Sequence, residues 1–287
     1  MASIVDSSEG RYVQAENARL SGGKRLKGIV AESSADQPLV TVITPVFNGE
    51  QYVAGCLESV LRQDYPNIEH IVLDGASKDS TVDVLRQYDD RIALWRSEPD
   101  AGLFYAWNKG LAEAHGEWIC FLGVDDEFLP GAVSAYMALA AKNPDVEYLS
   151  SNARWVHPSG FEKILGGPWT WKQFSRFMCT AHVGSMHRRS LFDKLGRYDT
   201  SYPIVADYEL LLRARDQLRA AYMPVVTIMM RGGGNCDRRI AFLEEARAKV
   251  TTGGRNKLLA AWELCASNAR YAFRPLRYAW ARMRKPR

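Results

Sequence analysis

The sequence predicts an α/β fold in which a mostly parallel central sheet is flanked by helices. Short apolar runs rich in β-branched residues alternate with segments whose apolar residues recur at helical spacing. This alternation is typical of right-handed strand–helix–strand units, which build parallel sheets. The 287 residues are 47% hydrophobic, which is enough for one sizeable core.

The first half of the chain contains the clearest elements. The run "LVTVITPVF" is typical of a strand buried on both faces. Asn48 is placed to cap the helix that follows it, and Asp79 or Ser80 to cap the next helix. The predicted strands are 39–47, 68–74, 91–96 and 117–122, and the predicted helices are 50–63, 81–88 and 102–115.

The second half is less regular. A glycine-rich loop at 231–235 follows its last strand. Pro158, Ser159 and Gly160 predict a turn between two strands. The other predicted elements are strands within 148–165, at 182–188 and at 220–230, and helical segments at 169–177, 190–195 and 205–217.

Composition limits the classes of protein that the chain can represent. The five cysteines lack zinc-site spacing and are interpreted as free thiols in a reducing compartment. The first residues are polar and do not resemble a signal peptide, and no apolar run reaches the ~18 residues of a membrane span. The sequence therefore predicts a cytoplasmic protein, or one peripheral on the cytosolic face of the inner membrane.

Charge is distributed unevenly along the chain. Residues 238–287 hold 13 Lys+Arg against 3 Asp+Glu, whereas residues 1–237 hold 24 against 30. The acidic body would repel nucleic acid, so nucleic acid is not expected as a partner.

Acidic residues follow two predicted strands of the sheet. Asp74 ends the second strand, and Asp125 and Asp126 follow the fourth strand. Because ligands bind beyond the carboxyl ends of parallel strands, these acids are expected at one crevice. Adjacent carboxylates suit Mg²⁺ or Mn²⁺, which prefer oxygen ligands and bridge to substrate phosphates. The alternative is a solvated acidic loop or a helix cap before Pro130.

The first strand lacks the features of a dinucleotide or P-loop site. It ends "TPVFNGEQ", with one glycine and no Gly-x-Gly-x-x-Gly. A Rossmann dinucleotide site needs that glycine-rich turn to approach a pyrophosphate. The sequence therefore argues against a nicotinamide enzyme, and no Walker lysine motif is present.

Four segments, in order, resemble the family 2 glycosyltransferases. They are "VITPVFNGEQYVAGCLESVLRQDYP", "IVLDGASKDST", "SEPDAGLFYAWNKGLAEAHGEWICFLGVDDEFLPGAV" and "HRRSLFDKLGRYDTSYPIVADYELLLR". The resemblance covers roughly residues 22–235 and is nearest to the bacterial enzymes that build surface polysaccharides and glycolipids. It implies the Rossmann-like GT-A fold, an inverting reaction and a divalent metal.

The resemblance also implies a division of the chain. Residues 1–37 would form an N-terminal arm, and 38–237 the GT-A catalytic domain. Within that domain, 38–130 would be the nucleotide-binding half and 131–237 the acceptor half. Residues 238–287 would form a basic, helical C-terminal extension.

The resemblance implies roles for individual residues at the nucleotide and sugar. Thr44, Pro45 and Phe47 would line the base, and Asp74 would accept a hydrogen bond from the base or its ribose. The wall near the sugar and the helix behind it would be formed by Glu98, Asp100, Gly102, Asn108 and Lys109.

It further implies the metal ligands and the catalytic base. Asp126 would bind the metal, and Asp125 would be shared between metal and ribose. Asp207 would be the base that takes the acceptor hydroxyl's proton, and His182 would lie near the sugar and acceptor. The chain departs from the family pattern twice, because Gly123 and Ala206 stand where the family often has an acid. The departure at Gly123 leaves open which acid touches the metal directly, and the departure at Ala206 removes a carboxylate that would support the base.

The predicted activity is metal-dependent, inverting transfer of a sugar from a UDP-, GDP- or dTDP-linked donor to a glycan or lipid-linked acceptor. One alternative is a catalytically silent nucleotide-sugar-binding or scaffold protein, supported by the two missing acids. Another is a nucleotidyltransferase, which would need a glycine-rich basic signature that residues 39–51 lack.

The sequence of the basic tail predicts an amphipathic helix that could bind a partner. Residues 255–287 read as a helix broken or kinked near Pro275. A helix with an arginine flank beside an apolar flank is typical of one lying on an anionic membrane. The alternative is that the apolar flank packs on the catalytic domain or on a second copy in a homo-oligomer. The arginines are Arg270, Arg274, Arg277 and Arg284, and the apolar residues are Phe273, Leu276, Trp280 and Met283.

Overall fold

A computed structural model of the chain describes residues 20–232 and 239–273. Strands and helices alternate through the first half, as the sequence predicts. The elements are β1 (Leu20–Gly22), β2 (Val40–Val46), α1 (Val53–Leu61), β3 (Ile68–Asp74), α2 (Thr81–Gln87), β4 (Leu94–Ser97), α3 (Leu103–Glu113) and β5 (Trp118–Phe121).

The second half contains shorter elements and more loops. Its elements are β6 (Glu127–Phe128), α4 (Ala132–Lys142), β7 (Tyr148–Val156), β8 (Glu162–Leu165), α5 (Trp171–Phe174), β9 (Met186–Arg188), α6 (Arg189–Leu195), α7 (Ala206–Ala214) and β10 (Ala220–Arg231). Two helices of the C-terminal extension follow, α8 (Arg239–Thr251) and α9 (Lys257–Ala272).

One twisted sheet runs through both halves in the order β1-β4-β3-β2-β5-β9-β7-β10-β6, and β8 pairs with β7. Strands β4, β3, β2 and β5 are mutually parallel. Strand β9 then joins antiparallel to both β5 and β7, whereas β7 and β10 are parallel. The predicted α/β class is confirmed, and the parallel part of the sheet lies within the segment predicted to be the nucleotide-binding half.

The core lies on both faces of the sheet because strand side chains alternate in direction. Along β5, Ile119 and Phe121 pack with helices α3, α6 and α7 on one face. Trp118 and Cys120 pack with α1 and α4 on the other face. All four side chains are almost fully buried, so β5 is the centre of the molecule.

The structure differs from the sequence prediction at the start of two elements. Asn48 does not cap α1, which begins at Val53 after a turn. Asn48 instead has a left-handed backbone (φ 49°), and its side-chain oxygen accepts a hydrogen bond from the Lys78 backbone N–H at 2.8 Å. The third parallel strand begins at Leu94, later than predicted, because a turn occupies residues 89–93.

The N-terminal arm contributes an edge strand where it is described. Strand β1 pairs antiparallel with β4, and Arg25 forms an ion pair with the buried Glu69. The rest of the arm, residues 1–19, lies outside the described residues, as do residues 233–238 of the glycine-rich loop and its continuation. Residues 274–287 of the tail, which carry most of its predicted arginine and apolar flanks, lie outside them too.

The C-terminal helices form an antiparallel pair. Phe242 of α8 contacts Tyr271 of α9 with ring centroids 5.8 Å apart, and the Arg239 Nε donates to Asn268 at 3.1 Å. Among residues 20–232 and 239–273, no helix is long and apolar enough to cross a membrane.

Candidate active site at the carboxyl edge of the sheet

The loops after β2, β3 and β5 meet at one edge of the sheet. The parallel register pairs Val46 with Asp74 and Asp74 with Ser97, so these strands end side by side. Strand β5 also ends here, because the Leu122 N–H donates to the Ile43 carbonyl on the adjacent β2. The sequence-predicted acids therefore lie at one edge, as parallel topology requires.

Asp74 is held by its own surroundings. Its carboxylate accepts hydrogen bonds from the Ser77 hydroxyl, the Ser77 backbone N–H (3.0 Å) and the Ser97 hydroxyl (2.5 Å). The side chain is 2% exposed. Asp74 thus fixes the loop after β3 against β4, and its contact with a base or ribose stays a prediction.

Phe47, Gly75 and Asp100 form a slot beside Asp74. The Phe47 ring is 63% exposed, an unusual position for a large aromatic side chain. A side chain at position 75 would lie 3.4 Å from this ring and 3.3 Å from the Asp100 carboxylate. The Gly75 backbone therefore forms the floor between an aromatic wall and an acid. The Gly102 N–H donates to that acid at 3.0 Å and orients it. An aromatic face beside a hydrogen-bond acceptor can hold a nucleobase.

A cavity of about 230 Å³ adjoins this slot. Asp74, Glu98, Asp100 and Lys109 line it. The Lys109 ammonium pairs with Glu98 at 2.9 Å and donates to the Pro99 carbonyl at 3.3 Å. Three of the predicted nucleotide-sugar-binding residues and Glu98, which is predicted to lie near the sugar and acceptor, are therefore brought together here.

Three predicted binding residues have other contacts. The Thr44 side chain is fully buried and faces the core, where its hydroxyl lies 2.9 Å from the His70 Nε2. Pro45 is also buried within β2. The Asn108 amide donates to the Tyr198 carbonyl at 2.9 Å and accepts from the Tyr198 N–H at 3.0 Å. Asn108 thus clamps the loop before α7 onto α3, an assignment that needed the tertiary fold.

Asp125 and Asp126 converge at Gly123. A side chain at position 123 would come within 2.5 Å of the Asp126 Oδ2 and 3.2 Å of the Asp125 Oδ1. Asp126 is 4% exposed, and its Oδ1 accepts a hydrogen bond from the Arg231 N–H at 3.0 Å. Burial, followed by the charge of Asp125, raises the pKa of Asp126 to about 7.

This geometry fits a divalent cation. Two carboxylate oxygens face the same small space above Gly123, which a larger residue would fill. In the described ranges no group of three or more His, Cys, Asp or Glu could hold a metal. Mg²⁺ commonly takes one or two protein carboxylates and completes its shell with water and substrate phosphate, so a pair is sufficient. A cation would also relieve the repulsion that raises the pKa of Asp126.

The lack of an acid at position 123 has a structural explanation. The Asp126 carboxylate occupies the space into which a residue 123 side chain would project. The pair Asp125–Asp126 therefore takes the place of a spaced acid pair in this loop.

Asp207 lies in the first turn of α7 and is partly buried. Its Oδ1 accepts a hydrogen bond from the Tyr208 N–H at 2.8 Å. No ion pair joins it to a cation within 20–232 or 239–273. Burial raises the pKa of Asp207 to about 6, and its charge contributes to the raised pKa values of Tyr148 and Tyr198. Among the described residues, Asp207 is thus a carboxylate with a raised pKa that no cation neutralises, and it lies near two tyrosines.

His182 belongs to the same cluster. Its Nε2 lies 3.2 Å from the Tyr198 hydroxyl, and its ring stacks on Phe121 with centroids 5.8 Å apart. Burial holds the pKa of His182 well below its usual value, so the ring is neutral. Tyr198 also packs on Phe121 at 5.1 Å, which connects the Asp207 cluster to the strand that leads to Asp125 and Asp126.

Several residues at this edge were not predicted from the sequence. Arg231 reaches Asp126 from 105 positions along the chain. Glu244, from α8, accepts hydrogen bonds from the Ile204 and Val205 N–H groups at 2.9 and 3.2 Å, just before Asp207. The aromatic enrichment of the chain is the one signal that points toward Tyr148 and Tyr198, and it does not single them out.

The fold is that of the GT-A glycosyltransferases. The sequence profile described as "Glycosyl transferase family 2" matches residues 41–193. The chain therefore belongs to glycosyl transferase family 2 and is an enzyme, a glycosyltransferase, as the sequence predicts.

Individual relatives agree with this assignment. The chain is 30% identical over 203 residues to a PGL/p-HBAD biosynthesis glycosyltransferase of Mycobacterium bovis, covering 66% of this chain and 75% of that protein. Among solved structures, S. aureus TarS 1-349 in complex with UDP superposes with a TM-score of 0.59 at 16% identity, covering 79% of this chain and 69% of TarS. The mannosyltransferase PcManGT from Pyrobaculum calidifontis, in complex with GDP-Man and Mn²⁺, gives 0.56 at 19% identity, covering 92% and 86%. These two structures establish the fold.

Proposed function

We propose that the chain transfers a sugar from a nucleotide-sugar donor to an acceptor hydroxyl with inversion, and that Asp207 is the base. The observation that carries this proposal is that the structure contains two acidic sites of different character, both connected to Phe121 of β5. Asp125 and Asp126 form a converging pair suited to a cation, whereas Asp207 is a single carboxylate with a pKa of about 6.

The donor would bind along the sheet edge. Phe47 and Asp100 would hold the base across Gly75, and Lys109 and Glu98 would line the space beside it. Support also comes from the neighbours with UDP and with GDP-Man, which have the same fold. The identity of the nucleotide and of the sugar is left to experiment.

Asp126 and Asp125 would hold Mg²⁺ or Mn²⁺, which when bound supplies positive charge against the leaving diphosphate. The Arg231 N–H orients the Asp126 carboxylate through its 3.0 Å hydrogen bond. Gly123 keeps the space between the two carboxylates open.

Asp207 would accept the proton of the attacking hydroxyl. As the acceptor oxygen bonds to the anomeric carbon, the bond to the donor phosphate oxygen breaks and its electron pair leaves with the diphosphate. A base pKa near 6 leaves most Asp207 ionised at pH 7 while keeping it a better base than an ordinary carboxylate. One in-line displacement inverts the anomeric configuration.

The acceptor is proposed to be a glycan or lipid-linked glycan of the bacterial cell surface. The relative from Mycobacterium bovis, whose name places it in PGL/p-HBAD biosynthesis, supports this class. We further propose that the enzyme works on the cytosolic side of the membrane, where nucleotide sugars are made.

The decisive experiment measures donor binding by thermal shift, using UDP-, GDP- and dTDP-sugars with and without Mn²⁺. A donor at one hundred times its Kd should add about 2.7 kcal/mol of stability. Stabilisation should be lost in EDTA and in Asp126→Asn. Gly123→Ala should weaken it too, because its Cβ displaces the Asp126 carboxylate.

Two variants serve as controls for this experiment. Asp145→Asn removes an exposed acid, and Gly167→Ala places a Cβ at an ordinary 3.4 Å from its neighbour, so both should bind normally. Equal stabilisation by donor in EDTA and in Mn²⁺ would exclude the metal-dependent mechanism.

A further inference from the structure

The last described helix, α9, turns apolar residues toward solvent. Leu258 is 81% exposed and Trp262 is 65% exposed. Residues spaced by three or four share one face of a helix, and this spacing continues along α9. The exposed residues of this face, hereafter the α9 outer face, are Leu258, Trp262, Cys265, Ala269, Ala272 and, just past the helix, Phe273.

The inner face of α9 holds its one acid. Glu263 is 8% exposed and pairs with Arg255 at 2.5 Å and with the buried Lys249 of α8 at 3.3 Å. Arg176, from the loop after α5, lies 3.6 Å from the same carboxylate. A surface helix of a globular protein normally buries its apolar stripe and exposes its charges. In α9 this arrangement is reversed. Ion pairs hold its inner face against the rest of the protein, and its apolar stripe faces solvent.

Cations border the α9 outer face. Lys257 and Arg270 are both exposed, and helical geometry places one on each side of the Leu258–Trp262 stripe. Trp262 and Arg270 also line a cavity of about 130 Å³ together with Arg176 and the half-exposed Phe177. The sequence from 264 to 287 contains seven Lys+Arg and no Asp or Glu. In the part of the chain that the structure describes, the stripe is therefore bordered by cations on both sides, and the sequence that follows it is basic.

We infer that the α9 outer face docks on an anionic phospholipid surface. Its apolar side chains would enter the acyl boundary while Lys257 and Arg270 meet headgroup phosphates. A second copy of the chain fits less well, because a symmetric contact through this face would bring two strongly basic segments together. Nucleic acid would leave the apolar stripe unpaired.

The docking face is linked structurally to the catalytic side. Helix α8, on which α9 packs, holds the loop before Asp207 through several contacts. The Tyr202 hydroxyl lies 2.8 Å from the Thr251 hydroxyl, and the Arg247 guanidinium donates to the Ser201 hydroxyl at 2.6 Å. Docking through α9 would therefore connect the membrane surface, through α8, to the loop that precedes the proposed base. The inference of docking itself does not depend on the acceptor.

Vesicle co-sedimentation of the full chain tests the inference. At low salt the chain should sediment with phosphatidylglycerol vesicles and stay in the supernatant with phosphatidylcholine. Leu258→Ser/Trp262→Ser should lower the partition coefficient by about tenfold or more, because two apolar side chains no longer enter the membrane. Lys257→Gln/Arg270→Gln should lower it by about fivefold per cation and reduce its salt dependence.

The matched control is Leu26→Ser/Ile164→Ser, which removes two apolar side chains of similar exposure elsewhere on the surface. It should bind vesicles like the wild type. The inference is overturned if the wild type ignores phosphatidylglycerol, or if the α9 variant binds as well as the control. It is also overturned if light scattering shows a dimer that the α9 variant dissociates while no form binds vesicles. Donor binding, measured separately, distinguishes a failed docking face from a failed enzyme.

Discussion

Two carboxylates of the site, Asp74 and Asp207, differ in the hydrogen bonds that they accept. Asp74, in the parallel part of the sheet, receives three hydrogen bonds from Ser77 and Ser97, two of them from side-chain hydroxyls. Asp207, in the mixed part, receives only backbone N–H groups, from Tyr208 and from its own residue, and burial still raises its pKa to about 6. A carboxylate held by side-chain donors fixes structure. One whose pKa burial raises is poised to take a proton.

The same contrast holds at the level of the fold. The first half is a regular parallel sheet whose loops are tied together by their own side chains, as where Asp79 accepts from Glu50 and Thr81 backbone groups. The second half is a mixed sheet, and the loop before Asp207 is held by Glu244 of α8. The proposed donor site is thus built from neighbouring loops, whereas the position of the proposed base depends on elements far along the chain.

The largest expected effect comes from removing the Asp207 carboxylate, whose pKa is raised by burial. Asp207→Asn should lower turnover by a factor of about 10² or more, since a positioned base contributes on that order. The Kd for donor should change little, because the base acts on the acceptor. Asp193→Asn, an exposed acid on α6, is the matched control and should retain full turnover. If Asp207→Asn instead lost donor binding and kept its rate at saturation, Asp207 would belong with Asp74 as a structural acid.

The next effect concerns pH. With metal and both substrates saturating, kcat should rise as pH rises through about 6, because the base must be ionised. At pH 5, one unit lower, about a tenth of Asp207 is ionised, so turnover should be about a tenth of its plateau.

The stability of the folded protein should depend on pH in the opposite direction from kcat. Its folded pKa is raised above the ordinary 3.8, so its contribution to stability is full below pH 3.8 and is lost as pH rises through about 6. Asp207→Asn should flatten both dependences. A wild-type kcat that stays constant from pH 5 to 7.5 would contradict the assignment of Asp207 as a base with a raised pKa.

The smallest effect tests the carboxylate that is surrounded by donors. Ser97→Ala removes one hydrogen bond to the buried Asp74 and should lower the free energy of unfolding by about 1–3 kcal/mol. Urea denaturation measures this loss, and Ser190→Ala, at an exposed position, should show almost none. Turnover at saturating donor should fall by far less than in Asp207→Asn. A turnover loss as large as that of Asp207→Asn would remove the distinction between the two acids.

Several features were predictable from the sequence because they depend on local pattern. The β-branched run at 39–47, the helical spacing after it and the acids at strand ends lead to a parallel sheet with Asp74, Asp125 and Asp126 at its carboxyl edge. These features follow from side-chain periodicity and from the rule that parallel strands end together, so no long-range contact is needed to infer them. The family resemblance, carried by ordered motifs, added the enzyme class.

Other features were decided by tertiary structure. Thr44 and Asn108 match positions that the family resemblance assigns to binding, yet Thr44 faces the core and Asn108 clamps Tyr198. Their roles depend on which side chains the fold brings opposite them. The pKa of Asp207 is raised by burial, and no sequence pattern reports how deeply a carboxylate is buried in the folded chain.

By itself the sequence determined the fold class, the sheet edge that carries the site and the acids that lie there. Tertiary structure alone decided which of those acids are satisfied, that Glu244 supports the loop before Asp207, and that α9 exposes the apolar stripe containing Trp262. The physical reason is that periodicity and topology are encoded by neighbours in sequence. Hydrogen-bond satisfaction, desolvation and the direction a helix faces are set by groups that meet only when distant segments pack together.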